Sequence, residues 1–405
     1  MASPSKIPFI DLSADTARQT IIAAGTAEVY QGHPTTVLTR AGKLLCVWTT
    51  GHGGPCGPAA ESLDGGRTWT RIDGRLPPEY GAECRNCPTL QKMVLPDGRE
   101  RILVFSARPP NGDHRNCDGI CPLGIAYSDD DGVTWRMAPP AEVSAMMPPT
   151  GFIQLTDGSV ALFGQVFKSL KRAKDRPTDD QNVWMATSPD GLSWSPMRIV
   201  ASAPEKNLCE PFAIRSPDGR EIALLLRENR HTGCSMMVFS QDEGRTWTAP
   251  VDTAPELTGD RHEGVVLPDG RLFIAFRDRM VVATTPSSSR DGGGAVATST
   301  YGHYVAWVGT WDDLRMARPG QCRVKLLHSH AGEEGLENAA WKGDTGYSGV
   351  ELLPNRKKQQ ADNSKVSLSE QRELLCTTYI KYWADARCHS VVCTRLRIEE
   401  LTTNH

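Results

Sequence analysis

240-SQDEGRTW-247 is the last of four related segments, after 62-SLDGGRTW-69, 128-SDDDGVTW-135 and the one-residue-shorter 188-SPDGLSW-194. Each reads Ser-x-Asp, a glycine, then Thr or Ser before Trp. The Asp folds back onto backbone N–H groups of a turn, the glycine takes a φ > 0 position, and the Trp enters the next strand. The tryptophans fall 66, 59 and 53 residues apart (69 to 135, to 194, to 247). A turn repeated at such a period is the signature of a repeat architecture.

A second repeat interleaves with the first. Apolar runs meet at a glycine turn in LTRAGKLLCVW around Gly42, LPDGRERILVF around Gly98, LTDGSVALF around Gly158, SPDGREIALLL around Gly219 and LPDGRLFIAF around Gly270. Asp-Gly between alternating apolar runs is a strong hairpin signal. The sixth copy is degenerate: ELLPN ending at Asn355, the polar insertion RKKQQADNSKVSLSEQR, then ELLCTTY. Six copies at roughly 50–60 residues, each a hairpin and then a second turn, predict an all-β fold. It is a six-bladed β-propeller of four-stranded antiparallel blades. Residues 1–405 then form one domain, although the length alone suggests two or three. The run PFIDL near the N-terminus is expected to join 391-VVCTRLRI-398 and close the ring.

Composition narrows the function classes. Hydrophobic residues make up 39% of the chain, enough for a core, and no segment reaches the apolar length of a membrane span. The stretch MASPSKIPFIDLSADTARQT has no sustained apolar run, so no uncleaved secretory signal is visible. A net charge of -3 gives no case for nucleic acid, whose phosphates call for a basic surface. A local cluster of arginines is still compatible with an anionic ligand. There is no P-loop and no dinucleotide fingerprint, and no cofactor is expected.

A propeller lines one central channel with the innermost strands of all its blades. If the glycine hairpins share a face, the far ends of their strands meet on the other face. Counting about nine residues back from each turn, at ~3.3 Å per residue, reaches that face. On the incoming strands this finds His33, Asn86, Thr150, Glu210, Asp260, Arg261, His262 and Tyr347. On the outgoing strands it finds His52, Arg108, Gln165, Arg227, Arg277 and Tyr379. Strand ends ordinarily carry turn formers, so six blades converging on Arg, His, Glu and Tyr mark a site. Clustered arginines recognise a carboxylate or phosphate in fixed geometry. A tyrosine is a poor nucleophile until a neighbouring carboxylate, here Glu210, takes its proton. A neutral tyrosine also suits a sugar whose anomeric carbon carries a carboxylate, which repels an anionic nucleophile. Sialidases are the known glycosidase exception that uses one.

At these residues the chain resembles the sialidase (neuraminidase) superfamily, with its Asp-box repeats on a six-bladed propeller. The resemblance runs from roughly Tyr30 to Ile398 and rests on 209-CEPFAIRSPDGREIALLLREN-229, 258-TGDRHEGVVLPDGRLFIAFRD-278 and 346-GYSGVELLPN-355. It implies an exo-acting, retaining glycoside hydrolase for terminal sialic acid or a related nonulosonic acid. Tyr347 would be the nucleophile and Glu210 its base. Arg227, 17 positions after Glu210, would be the second arginine of a carboxylate-binding triad, and Arg323 in 321-QCRVKLL-327 the third. Arg277, Arg261, His262, His33, Arg108 and Gln165 complete the expected substrate-binding set.

Two departures mark a divergent branch. The family's first arginine belongs to a Phe/Tyr-Arg-Ile-Pro motif, but the aligned segment is 30-YQGHP-34, leaving His33 or Arg277 to substitute. The acid/base Asp is missing from 49-TTGHGGPCGP-58, where His52 is the nearest proton donor and Asp260 competes. An imidazole serves as general acid near neutral pH. Two other classes stay open: a propeller that binds an acidic glycan without hydrolysing it, and a lyase acting on acidic sugars. An intact Tyr/Glu pair argues against simple binding.

Outside the channel, Cys84-x2-Cys87 and Cys117-x3-Cys121 bring four of the twelve cysteines into two close pairs. Zinc, disulfides and free thiols are all open there. Their place in blade two suits a rim staple better than a catalytic zinc, and no catalytic metal is expected. The Gly/Ser-rich 287-SSSRDGGG-294, expected between blades five and six, is a tolerated insertion or a flap.

Overall fold

The computed structural model describes residues 7–110, 112, 120–171, 175–283, 295–298, 300–332, 344–354, 372–384 and 386–402. The described strands fall into seven sheets: six are the blades, arranged in chain order around the ring, and the seventh is a two-stranded hairpin of Val281–Ala283 and Ala295–Ala297. Blade one is Gln31–Leu38, Leu44–Thr50, Cys56–Ser62 and Thr70–Arg71. Blade two is Arg85–Val94, Glu100–Ala107, Leu123–Ser128 and Arg136–Met137; blade three is Gly151–Gln154, Val160–Phe167, Gln181–Ser188 and Arg198–Ala201. Blade four is Leu208–Arg215, Ile222–Glu228, Met236–Ser240 and Val251–Asp252. Blade five is Gly259–Val266, Leu272–Asp278, Tyr304–Gly309 and Cys322–Leu327. Blade six is Ser348–Leu353, Glu373–Ile380 and Ser390–Arg397, with Gln19–Ala23 as its outermost strand.

The ring closure corrects the sequence expectation. Phe9–Asp11 pairs in parallel with Arg323–Lys325 of blade five, and it is Gln19–Ala23 that pairs antiparallel with Ser390–Arg397. Ile10 and Leu12 of PFIDL pack on the neighbouring blade, with Phe9 left exposed, while Ile21 and Ile22 of QTIIA cover the last one.

Both repeats do what their chemistry dictates. In five hairpins the glycine N–H donates three residues back, as Gly98 N to Leu95 O at 2.8 Å, with φ between 77° and 88°. In the first Asp box the Asp64 carboxylate accepts from the N–H groups of Arg67 and Thr68 at 2.9 and 2.8 Å and from Thr68 Oγ1 at 2.7 Å. These contacts hold Asp64 near 2 against the opposing effect of partial burial. All four boxes lie between the third and fourth strands of blades one to four, away from the channel. Apolar faces of neighbouring blades pack in wedges, with Trp48, Trp184 and Trp307 fully buried.

Segment 287–294 lies outside the described residues, as do Asn355 and the polar insertion up to Gln371. By chain order 287–294 belongs inside blade five, between Leu272–Asp278 and Tyr304–Gly309, rather than between blades five and six. No described helix is long and apolar enough to cross a membrane.

Candidate active site

The innermost strands kink where they reach the channel mouth. In blades one, two, four and five the register with the second strand slips, between Gly32 and Thr35, Arg85 and Thr89, Cys209 and Phe212, and Asp260 and Glu263. Each slip holds a non-glycine residue in the left-handed region: His33 at φ 54°, Asn86 at 65°, Glu210 at 47° and Arg261 at 58°. A bulge re-aims one side chain out of the sheet's alternation, here towards the axis. Blade six uses Gly346 at φ 101° to deliver Tyr347, in contact with the backbone of Arg277.

At the mouth lies a pocket of about 250 Å³ lined by Glu210, Tyr347, Arg227, His52, Gln165 and Gln181, with further walls from Asn86, Asn229, Met146 and Met147. The Tyr347 hydroxyl donates to Glu210 Oε1 in a very short hydrogen bond. Arg227 Nη1 donates to Glu210 Oε2 at 3.0 Å. Gln165 Oε1 accepts from the Glu210 N–H at 3.2 Å. Burial pulls the Glu210 carboxyl upward, but Arg227, Arg261 and the Tyr347 hydroxyl hold it below its ordinary value. Burial, then the Glu210 charge, raises the Tyr347 phenol well above 10. The resting pair is therefore phenol and carboxylate, the arrangement in which Glu210 is a base for Tyr347.

Asp260, the rival of His52 for the acid/base role, is taken up by ion pairs. Its carboxylate accepts from Arg277 Nε and Nη2 at 2.9 and 2.6 Å and from Arg279 Nε at 2.7 Å. It also pairs with Arg227 Nε and His231 Nε2, both at 2.9 Å. Burial opposes its ionisation, yet the three arginines hold it well below the usual carboxylate range. Arg227 and Arg277 thus converge on a carboxylate of the protein itself. Arg323, the expected third arginine, stands apart and pairs with Asp278 at 2.8 Å and Thr300 at 3.3 Å.

His52 leans on Asp344, Nδ1 to Oδ2 at 3.3 Å. Asp344 also accepts from the hydroxyls of Tyr30 at 2.5 Å and Tyr379 at 2.6 Å, and faces Arg277 at 3.6 Å. Although burial pulls upward, the hydrogen bond with His52 and then the Arg277 charge hold the Asp344 carboxyl well below the usual carboxylate range. His33 lies beneath, 1% exposed, its Nδ1 3.0 Å from Thr49 Oγ1 and its ring 4.8 Å from that of Tyr347. Burial and the nearby His52 push it down to about 3, so it is a neutral wedge against the tyrosine.

Other expected residues fall elsewhere. His262 turns into the blade, where Nε2 meets Leu257 O at 2.9 Å and the ring packs on Phe276. Arg108 pairs with Glu83 outside the pocket. Cys84 and Cys87 are free buried thiols, burial pushing Cys84 up to about 12; Cys117 lies outside the described residues. No described group of three or more ligating side chains suits a metal ion. The sequence reading missed Asp344 and Arg279, although 344-DTGY-347 and 277-RDR-279 place both beside residues already singled out.

Deeper, towards the hairpin face, a cavity of about 160 Å³ is lined by Glu263, Glu351, Lys92, Thr35, Thr36 and Ser348. Desolvation pushes Glu263 up to about 8 and Glu351 up to about 7.

The comparisons agree with this architecture. Residues 126–293 match the BNR repeat-like domain family. The fold is similar to a Dyadobacter fermentans protein described as of unknown function, at TM-score 0.64 and 15% identity over 94% of this chain and 98% of that one. It is similar to Penicillium chrysogenum alpha-L-arabinanase complexed with arabinobiose, at TM-score 0.61 and 13% identity over 95% and 98%. A Hadza microbial sialidase matches at TM-score 0.56 and 16% identity over 91% of this chain and 66% of that one. No curated protein sequence shows a significant match. The resemblance to the sialidase superfamily therefore stands at the level of repeat and fold.

Proposed function

We propose that the chain is a retaining glycoside hydrolase whose nucleophile is Tyr347, with Glu210 as its base. The observation that carries this reading is the Tyr347–Glu210 hydrogen bond at the pocket floor, buttressed by Arg227. In the first step a lone pair of the phenol oxygen bonds to the anomeric carbon as its proton passes to Glu210 Oε1. The bond to the aglycone breaks, its electron pair stays on the leaving oxygen, and His52 supplies the proton. In the second step water attacks the same carbon, its proton goes to His52, and the phenol oxygen leaves and recovers its proton from Glu210. Two displacements retain the anomeric configuration. Structural similarity to an arabinanase and to a sialidase supports the reaction class.

Two sugar classes compete. A nucleophilic tyrosine suits sialic acid or another nonulosonic acid. The arginine geometry favours a sugar without a carboxylate at its anomeric carbon. Arg227 is the only expected triad arginine lining the pocket, Asp260 already fills the space between Arg227 and Arg277, and Arg323 is engaged with Asp278. The deciding experiment compares a fluorogenic sialoside with fluorogenic α-L-arabinofuranoside and other neutral glycosides, in wild type, Tyr347→Phe and Glu210→Gln. Hydrolysis of a neutral glycoside, reduced at least about 1,000-fold in both variants, is expected. Hydrolysis of the sialoside alone restores the acidic-sugar reading. Activity that survives Tyr347→Phe transfers the nucleophile to Glu210. An inert wild type that still binds an acidic glycan overturns the hydrolase, and an ultraviolet-absorbing unsaturated product identifies a lyase.

A further inference from the structure

Arg261 is the least explained side chain in the molecule. It is 1% exposed, yet Nε, Nη1 and Nη2 have no hydrogen-bond partner among the described residues. Its backbone occupies the left-handed region, and its guanidinium carbon lies 4.8 Å from the centroid of the Tyr347 ring. A buried cation without hydrogen bonds is costly, and so is a bulky residue at positive φ. Both place a positive charge behind the reacting tyrosine.

We infer that Arg261 is a positioning residue of the Tyr347–Glu210 pair, acting through the ring and the carboxylate rather than on the sugar. The inference rests on the hydrolase reading for its kinetic part only. As the phenol oxygen leaves the anomeric carbon it gains negative charge, which a guanidinium against the ring stabilises more than it stabilises a neutral phenol. The same charge helps to keep Glu210 ionised between turnovers. It lowers the proton affinity of Glu210, Tyr347, Glu263 and Cys87 alike, as a central, unneutralised cation should. The other charged groups facing Glu210 are Arg227, which acts in the same sense, and Asp260, which opposes it.

The test uses Arg261→Met and Arg261→Lys. The Glu210 carboxyl is titrated by carbon-13 NMR in the free protein, assigned with Glu210→Gln. The expected result is a midpoint raised by at least about one pH unit in Arg261→Met, a tenfold gain in proton affinity, and largely restored in Arg261→Lys. In turnover, Arg261→Met should lose about 100-fold in kcat with KM falling in parallel, because the slowed departure of the phenol oxygen lets a glycosyl-enzyme accumulate, detected by intact mass spectrometry. A merely structural arginine would change the melting temperature and leave the Glu210 midpoint in place, which overturns the inference whatever the kinetics. A moved midpoint in a wild type that hydrolyses nothing removes the hydrolase and leaves Arg261's hold on the pair standing.

Discussion

Tyr347 and Glu210 are 137 positions apart and meet because a bulge in blade four and a glycine at the entry to blade six aim them at one axis. Their protonation states are set by burial on one side and guanidinium charge on the other. Glu210 sits below its ordinary value of 4.5, so the acid limb of kcat/KM should lie below pH 4.5 in a profile measured with a neutral glycoside. The direction of the limb follows from the sign of the shift: a depressed carboxyl loses its charge only as pH falls through the lowered value. Asp260 has the opposite use. Removing it as Asp260→Asn leaves Arg227, Arg277 and Arg279 short of their shared counter-charge, and should destabilise the fold by about 3–5 kcal/mol in chemical denaturation. Asp260→Asn should also create affinity for free carboxylates, read as protection by millimolar acetate or sialic acid.

At the scale of the strand, the bulges carry the site. Gly346 shows how narrow the tolerance is: a Cβ there would approach Arg277 Cβ at 2.6 Å and its N at 3.0 Å, at a φ that other residues rarely adopt. Gly346→Ala should therefore cost activity by displacing Tyr347, at least about tenfold in kcat, and stability as well. The blade pattern was legible in the sequence because each turn has local chemistry: Asp64 needs only Thr68 and two N–H groups within four residues. The channel mouth was legible for a related reason, since His33, Glu210, Arg261 and Tyr347 each stand eight or nine residues before their hairpin turns. What the side chains do there was not legible. His262 is next to Arg261 in sequence but a bulge sends the two to opposite sides, one to a main-chain carbonyl and one to the axis. Likewise no spacing rule reveals that Asp260 occupies the arginines, or that Arg323 reaches Asp278. The ring closure failed for want of a local signal: PFIDL and QTIIA are equally strand-like, and register with distant blades decides between them.

At the scale of the whole molecule, the channel has two chemically different ends. The inner cavity holds Glu263 and Glu351 with proton affinities raised to about 8 and about 7, chiefly by desolvation. A carboxyl protonated in the fold binds a proton that the unfolded chain has already released, so stability should fall as pH rises from about 4.5 through about 8. Because both side chains keep partial solvent access, the loss should be about 1–2 kcal/mol, and Glu263→Gln should flatten it in melting curves between pH 5 and 9. The closure strand offers a separate check. Deleting residues up to Ala23 should lower the melting temperature by more than about 10 °C, whereas deleting only through Leu12 should cost far less. That closure also sets a timetable for synthesis. Gln19–Ala23 leaves the ribosome about 370 residues ahead of its partner Ser390–Arg397. At about 5–20 residues per second the strand waits roughly 20–75 s for its mate. Throughout that interval Gln19–Ala23 stays an unpaired apolar edge on the nascent chain, so a slow codon stretch between the two strands would be felt as lost yield rather than lost stability.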